Sequence, residues 1–243
     1  MTTAAPYPGF SRRRVILGGA MAMTAAWSGR VTAAAASPVL VELFTSQGCN
    51  SCPPADAYLT ELARQPGVIA LAYHIDYWDQ LGWRDPFSSP AATDRQRNYA
   101  RLLGLKTIYT PQMVVNGRYD VVGSHREAVA AAIAESSRQP PAAAVTLIPA
   151  ADALSVRVGA GKGEGRIWLA SYDLRHETHV RAGENAWRSI ENVNIVRGIQ
   201  EIGRWRGTDM TVSQPRPGAG TGAAVFVQAA DGTVLGVAAT VGA

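Results

Sequence analysis

The sequence of 243 residues has two cysteines, four histidines and four phenylalanines. Two cysteines exclude the disulfide framework that staples small exported domains. They also exclude a full cysteine zinc site, because a structural zinc takes four ligands and His74, His125, His176 and His179 do not complete one at a recognised spacing. Haem attachment would need a histidine directly after the second cysteine, where Pro53 stands. There is no phosphate-cradling Walker loop and no G-x-S-x-G elbow. Gly159-Ala160-Gly161-Lys162-Gly163-Glu164-Gly165 is rich in glycine but opens no helix, and reads as a flexible hairpin between two strands.

A basic field is missing as well, despite a sequence pI of 9.3. Arg12, Arg13, Arg14 and Arg30 are the only charged residues among the first 36, and setting their four charges aside takes the formal net charge from +4 to zero. A neutral mature chain offers nothing to hold phosphate, so no nucleic-acid partner is expected. Those four arginines belong to a leader. Ser11-Arg12-Arg13-Arg14-Val15-Ile16 is a twin-arginine pattern, followed by an apolar stretch to about Trp27 and the small residues Val31-Thr32-Ala33-Ala34-Ala35-Ala36. Residues 1–36 therefore read as a cleaved signal peptide of the Tat type, which places the mature protein in the periplasm or outside the cell. Beyond it no apolar run has the ~20 residues of a spanning helix, so no stable membrane anchor is expected.

What is there begins with Val39-Leu40-Val41-Glu42-Leu43-Phe44-Thr45, a buried strand with one acid inside it. A helix over 55–64 is predicted from the spacing of Ala55, Tyr58, Leu59 and Leu62, and Pro66-Gly67 ends it. A second apolar strand, 68–75, leads into an aromatic loop, 76–87. A helix is expected from Thr93, with Gln96 completing a capping box, and another from Ser124 with Glu127. Between them, Asn116-Gly117 separates Met113-Val114-Val115 from Tyr119-Asp120-Val121-Val122, a hairpin signal. Residues 38–139 thus read as one α/β domain. After Pro140-Pro141 the pattern becomes alternating: 144–148, 154–158, 166–170, 224–228 and 234–238, with a turn at Asp231-Gly232. Short alternating strands predict a mostly-β, sandwich-like second domain over 141–243.

The two cysteines stand three positions apart, in Cys49-Asn50-Ser51-Cys52. A structural bridge closing so short a loop contributes only about 2 kcal/mol in the chain-entropy model. A strand before the pair and a helix after it are the context of a redox dithiol. In that reading Cys49 attacks a disulfide and Cys52 resolves the mixed disulfide. The thiol at a helix N-terminus is acidified by the free N–H groups and the dipole. Pro53-Pro54 sets a limit here, since proline sits comfortably only in a helix's first turn, which starts the helix after the pair. The alternative is a non-enzymatic module, either a copper carrier holding a soft metal such as Cu(I) with the pair and His74 or a protein-recognition module.

These features resemble the thioredoxin superfamily over residues 38–139. Val41-Glu42-Leu43-Phe44 looks like its second strand with a buried acid, and Thr110-Pro111 like its cis-proline dipeptide. Glu42-Leu43-Phe44-Thr45-Ser46-Gln47-Gly48-Cys49, Cys52-Pro53-Pro54-Ala55-Asp56, His74-Ile75-Asp76-Tyr77-Trp78-Asp79, Tyr109-Thr110-Pro111-Gln112 and Gly183-Glu184-Asn185-Ala186 resemble, more closely, a secreted bacterial thioredoxin-like family still labelled as a domain of unknown function. The resemblance implies a thioredoxin-like domain followed by a mostly-β domain. It implies thiol–disulfide exchange with protein or peptide partners, with Thr110 and Pro111 holding the substrate backbone and Glu42 moving protons near Cys52. Tyr77, Trp78, Trp83 and Phe87 either line a peptide groove beside the pair or plug the core beneath their loop. No metal or other cofactor is called for. The Asn50-Ser51 dipeptide is that of neither thioredoxin nor the strong periplasmic oxidants, so direction and redox partner stay open. Gly183-Glu184-Asn185 is expected to be a turn.

Overall fold

The computed structural model describes residues 1–5 and 37–242. The expected leader, beyond its first five residues, lies outside them. Residues 37–242 lie in one compact unit. No helix among the described residues is long and apolar enough to cross a membrane.

The first half follows the expected order. β1 (Val39–Thr45), α1 (Pro53–Leu62), β2 (Val68–His74), α2 (Pro90–Leu102), β3 (Gln112–Val115), β4 (Tyr119–Val122) and α3 (Arg126–Ser137) succeed one another. β1 and β2 run parallel, Val39 beside Val68 and Thr45 beside His74. Both therefore end at one sheet edge, where ligand sites of α/β folds form. β3 pairs antiparallel to β1 and β4 to β3. At the hairpin between them, Asn116 and Gly117 both have positive φ, 47° and 67°. A Cβ on Gly117 would also lie 1.8 Å from the Gly232 carbonyl oxygen, so only glycine fits.

Two helix starts differ from expectation. α2 begins a turn early, because Ser89 caps the Ala92 N–H at 3.2 Å and Pro90 occupies the first turn. Thr93 instead donates to Asp76, and Gln96 reaches the Tyr109 carbonyl and the Gln112 side chain. α3 has His125 at its N-cap with no side-chain cap bond, so Ser124 and Glu127 form no capping box.

The second half contributes β5 (Val145–Pro149), β6 (Ala153–Val158), β7 (Gly165–His179), β8 (Ser189–Trp205), β9 (Met210–Pro215), β10 (Thr221–Gln228) and β11 (Val234–Val241). Four of these extend the first half's sheet, in the order β11-β10-β7-β8-β2-β1-β3-β4. The joint is parallel and narrow, Ala72 of β2 with Ile195 of β8. Pro140-Pro141 thus marks a change of pattern but not the end of the sheet. The expected sandwich-like second domain is not set apart, because four of its strands belong to the large mixed sheet. β5, β6 and β9 form a three-stranded sheet, whose Leu154, Val156 and Val158 pack on Ile167, Leu169, Val225 and Val227. Alternate residues of β7 and β10, among them Ala170, Tyr172, Ala224 and Phe226, share a second core with Leu40, Phe44 and Tyr73 of β1 and β2. Burial on both faces explains why β10 reads as a continuous apolar run. The glycine-rich stretch at 159–165 is no hairpin, since it links β6 in the small sheet to β7 in the large one.

β1 has two chemically distinct faces. Val39, Val41 and Leu43 pack under α1 and α3. Leu40 and Phe44 face the core shared with α2, β7 and β10. Strand alternation puts Thr45 on the first face and Glu42 on the second.

Candidate functional site

Cys49 and Cys52 form a disulfide, with Cα atoms 5.5 Å apart. Cys52 is the N-cap of α1, and Pro53 and Pro54 fill the first turn. Having no N–H, these prolines lose nothing at positions where helical N–H groups lack partners. Cys49 lies in the preceding turn, where its own N–H donates to the Ser46 carbonyl at 3.1 Å. Both cysteines are fully buried.

The Thr110–Pro111 peptide is cis. Thr110 Oγ1 donates to Cys49 Sγ at 3.3 Å and accepts from Trp78 Nε1 at 2.9 Å. Ser51 Oγ lies 3.2 Å from the same sulfur. Hydrogen bonds of this kind favour sulfur in its anionic form. Trp83 Nε1 bonds Gln47 Oε1 at 3.3 Å, and a Cβ on Gly48 would lie 3.4 Å from Trp78 Cβ. The aromatic loop therefore packs over the pair. Tyr77 and Trp78 also pack on the core, so part of the loop covers it, and Trp78 does so while bonding Thr110 beside the pair. Phe87 turns away, 5.5 Å from the His74 ring and 5.1 Å from that of His176.

Glu42 is not brought to the pair. It is buried on the opposite face of β1, where Arg95 of α2 clamps it through Nε at 2.5 Å and Nη2 at 2.9 Å, and Tyr99 donates to it. Arg95 is itself stacked over Tyr99 and Phe226, with 4.9 and 5.0 Å to the ring centroids. Gln228 of β10 closes the network by donating to the Tyr99 hydroxyl at 2.9 Å. Glu42 is a fully satisfied structural acid that ties the two halves of the chain together.

A second buried acid, Asp56, follows the pair on α1. It stands four residues after Cys52, one helical turn along the same face, and its N–H donates to the Cys52 carbonyl at 3.1 Å. Burial raises its pKa to about 7, against the pull of His74. His74 Nδ1 bonds Asp85 Oδ2 at 2.7 Å, and Asp85 also accepts the Gln47 and Phe87 N–H groups. Burial alone would lower the His74 pKa, but the Asp85 and Asp56 carboxylates raise it. Burial works to raise the Asp85 pKa, and His74 with those N–H groups overcomes it to hold that carboxyl below its ordinary value. Asp56 Oδ1, Thr45 Oγ1 and His74 Nε2 are buried with no hydrogen-bond partner. Unpaired polar atoms are costly in a core, and others stand at Tyr73, Tyr77, Gln96, Ser136 and Asn192. Asp56 also reaches a pocket of about 360 Å³ between α1 and β8, lined by Thr60, Arg188 and Glu191. His74 gives its ring to Asp85, and no group of three or more metal-ligating side chains exists among the described residues.

The remaining contacts come from the second half. Asn185, fully buried between β7 and β8, donates both amide hydrogens: to the Gln47 carbonyl at 3.0 Å and the Cys49 carbonyl at 2.8 Å. Glu184 accepts the Asn50 N–H at 3.2 Å, and Gln47 Nε2 donates to Asn192 of β8 at 2.9 Å. Gly183-Glu184-Asn185 is thus a turn, as expected, and one that grips the cysteine loop. Only its recurrence in the resemblance could have marked it, because its contacts span more than 130 residues of sequence.

The chain is similar to one protein with a redox name and to two solved structures. A protein of Archaeoglobus fulgidus named "Probable Thioredoxin" is 27% identical over 85 residues, 35% of this chain and 74% of that one. The crystal structure of an Agrobacterium tumefaciens protein is 33% identical and superposes with a TM-score of 0.77, covering 87% of this chain and 97% of that one. HBP35 of Porphyromonas gingivalis shares the fold alone, with a TM-score of 0.57 at 12% identity over 85% of this chain and 76% of its own. A family model described as protein of unknown function, DUF1223, matches residues 40–228. A thioredoxin-like chain with a closed Cys49–Cys52 pair that fits a thiol-redox role, this protein belongs to the DUF1223 family.

Proposed function

We propose that the protein is an exported thiol–disulfide oxidoreductase that exchanges disulfides with periplasmic or secreted proteins through Cys49 and Cys52. The observation that carries this is the pair's setting. A disulfide at the N-terminus of α1 has the Thr110 hydroxyl on one sulfur and a buried acid, Asp56, one turn behind the other. Asp56 titrates near neutrality, where a group that passes protons to and from a thiol is most effective.

In the reducing direction, the Cys49 thiolate attacks one sulfur of a substrate disulfide, and the other sulfur leaves as a thiolate. The Cys52 thiol gives its proton to Asp56 and attacks Cys49 Sγ. The mixed disulfide breaks, the second substrate sulfur leaves, and the pair closes. The substrate has gained two electrons and the pair has lost them, and oxidation of a substrate dithiol runs the same steps backward. Thr110 holds Cys49 Sγ in line, and the cis Thr110–Pro111 backbone borders the approach. Because both sulfurs are covered, the aromatic loop has to move aside for a protein partner. The twin-arginine leader supports an extracytoplasmic setting, where such pairs act on newly exported chains.

The test is a pair of variants assayed by insulin reduction and by trapping. Cys49→Ser is expected to abolish exchange and form no mixed disulfide. Cys52→Ser is expected to abolish turnover while accumulating mixed disulfides with exported proteins. Equal trapping by both variants, or none by either, contradicts the assignment.

A further inference from the structure

We propose that the tip of the β7–β8 hairpin tunes the redox pair: Asn185, assisted by Glu184, holds the Cys49 loop in the geometry that closes the disulfide, making the pair harder to reduce. The proposal rests on the redox reading above and assigns a positioning role to the second half of the chain.

Asn185 is fully buried, and each of its polar groups is committed. Its two amide hydrogens hold the Gln47 and Cys49 carbonyls, and its Oδ1 accepts from Arg188 at 3.1 Å. A side-chain amide has two donor hydrogens, so both go to the one loop that carries the attacking sulfur. That loop is fastened at three further points. Asp85 holds the Gln47 N–H at 2.8 Å, Asn192 accepts from the Gln47 side chain, and Trp83 donates to it. Gly183 has φ +75°, and a Cβ there would lie 3.0 Å from Trp83 Cβ, so hairpin tip and aromatic loop lock against each other.

Reduction consumes two electrons and two protons and leaves two thiols whose sulfurs must separate to non-bonded contact. A loop pinned on both sides of Cys49 resists that separation. Equivalently, pinning raises the effective concentration of each thiol at the other and favours closure. Glu184 works in the same direction by a different route. It occupies the Asn50 N–H, which adjoins Cys49, and sets a carboxylate beside the position where a thiolate would form. Like charge disfavours the anion and hence the reduced state.

The experiment is a redox titration of the mature chain against dithiothreitol buffers, with thiols counted by alkylation and mass. Electrons pass from the buffer dithiol, which closes to its own disulfide. Asn185→Ala is expected to shift the dithiol–disulfide equilibrium about tenfold toward the dithiol, a rise of ~30 mV in midpoint. Glu184→Gln, an exposed and nearly isosteric change, is expected to move it about threefold in the same direction, and carries the test if Asn185→Ala fails to fold. A purely structural role for Asn185 destabilises both redox forms alike and leaves the midpoint where it was. Unchanged midpoints, or shifts toward the disulfide, overturn the clamp while leaving the redox reading intact. A pair that titrates reversibly in no variant overturns the reading on which the clamp rests.

Discussion

The two faces of β1 each bury an acid, and the two acids have opposite surroundings. On one face Glu42 is held bidentate by Arg95 and receives a third bond from Tyr99. On the other, Asp56, Thr45 and His74 each leave a buried polar atom unpaired. Tyr73 on the Glu42 face leaves its hydroxyl unpaired too, so what separates the two sides is the cation that holds Glu42 and has no counterpart at Asp56. A paired charge trades desolvation for hydrogen bonds and stays ionised. A carboxyl buried without a guanidinium beside it has its pKa raised by desolvation, here to about 7, against the pull of His74 and Thr45. The two acids differ here in their partners rather than in their depth.

The comparison breaks most visibly in variants. Glu42→Ala leaves the Arg95 guanidinium buried and uncompensated, and is expected to cost about 3–5 kcal/mol in urea unfolding. The redox midpoint of whatever protein folds is expected to stay the same. A change in midpoint with little loss of stability would reverse the assignment of the two faces. Asp56→Asn is expected to slow turnover at pH 7 about a hundredfold, within the range of general acid–base catalysis, and to flatten the pH–rate profile. Stopped-flow measurement of the resolving step checks it.

Stability should follow pH in a direction the two raised groups share. The folded Asp56 value of about 7 lies above its ordinary 3.8, so the folded chain keeps a proton that the unfolded chain releases. Its contribution therefore falls as pH rises from about 4 to about 7. His74 is also raised, so its contribution is complete below its ordinary 6.5 and is lost as pH climbs through the folded value. The Tm is expected to fall from pH 5 to pH 8, and Asp56→Asn to remove most of the slope, since each tenfold difference in proton affinity between folded and unfolded chain is worth about 1.4 kcal/mol. A Tm that rises across that range would contradict the protonation scheme. The smallest effect is expected from Trp78→Phe, which removes the 2.9 Å bond to Thr110 but keeps a ring over the pair. Turnover should fall severalfold, with stability lowered by about 1 kcal/mol.

Local patterns made the first half legible. Apolar spacing located β1, α1 and β2, and Asn116-Gly117 located the hairpin, because each signal acts within a few residues. The start of α2 was readable as Ser89-Pro90, a cap followed by a first-turn proline, but the Thr93–Gln96 spacing imitates a capping box. The placement of Glu42 was readable too. It alternates with Val41 and Leu43 and so cannot share their face with Thr45. β8 was not legible. Its 17 residues include Asn192, Asn194 and two glycines, and Asn194 has a positive φ of 49°, so propensity argues against a strand that only tertiary pairing with β7 sustains. Asn185 lay beyond any local rule, because its partners are 136 and 138 residues away.

The claim on which the rest depends is that Cys49–Cys52 is a reversible redox pair rather than a structural bridge. Equilibrium titration of the wild-type protein in graded dithiol buffers tests it directly. The account predicts a single two-electron transition with a midpoint between about −270 and −120 mV, the span of working thiol oxidoreductases. A pair that stays closed below about −300 mV, where structural disulfides lie, would contradict it.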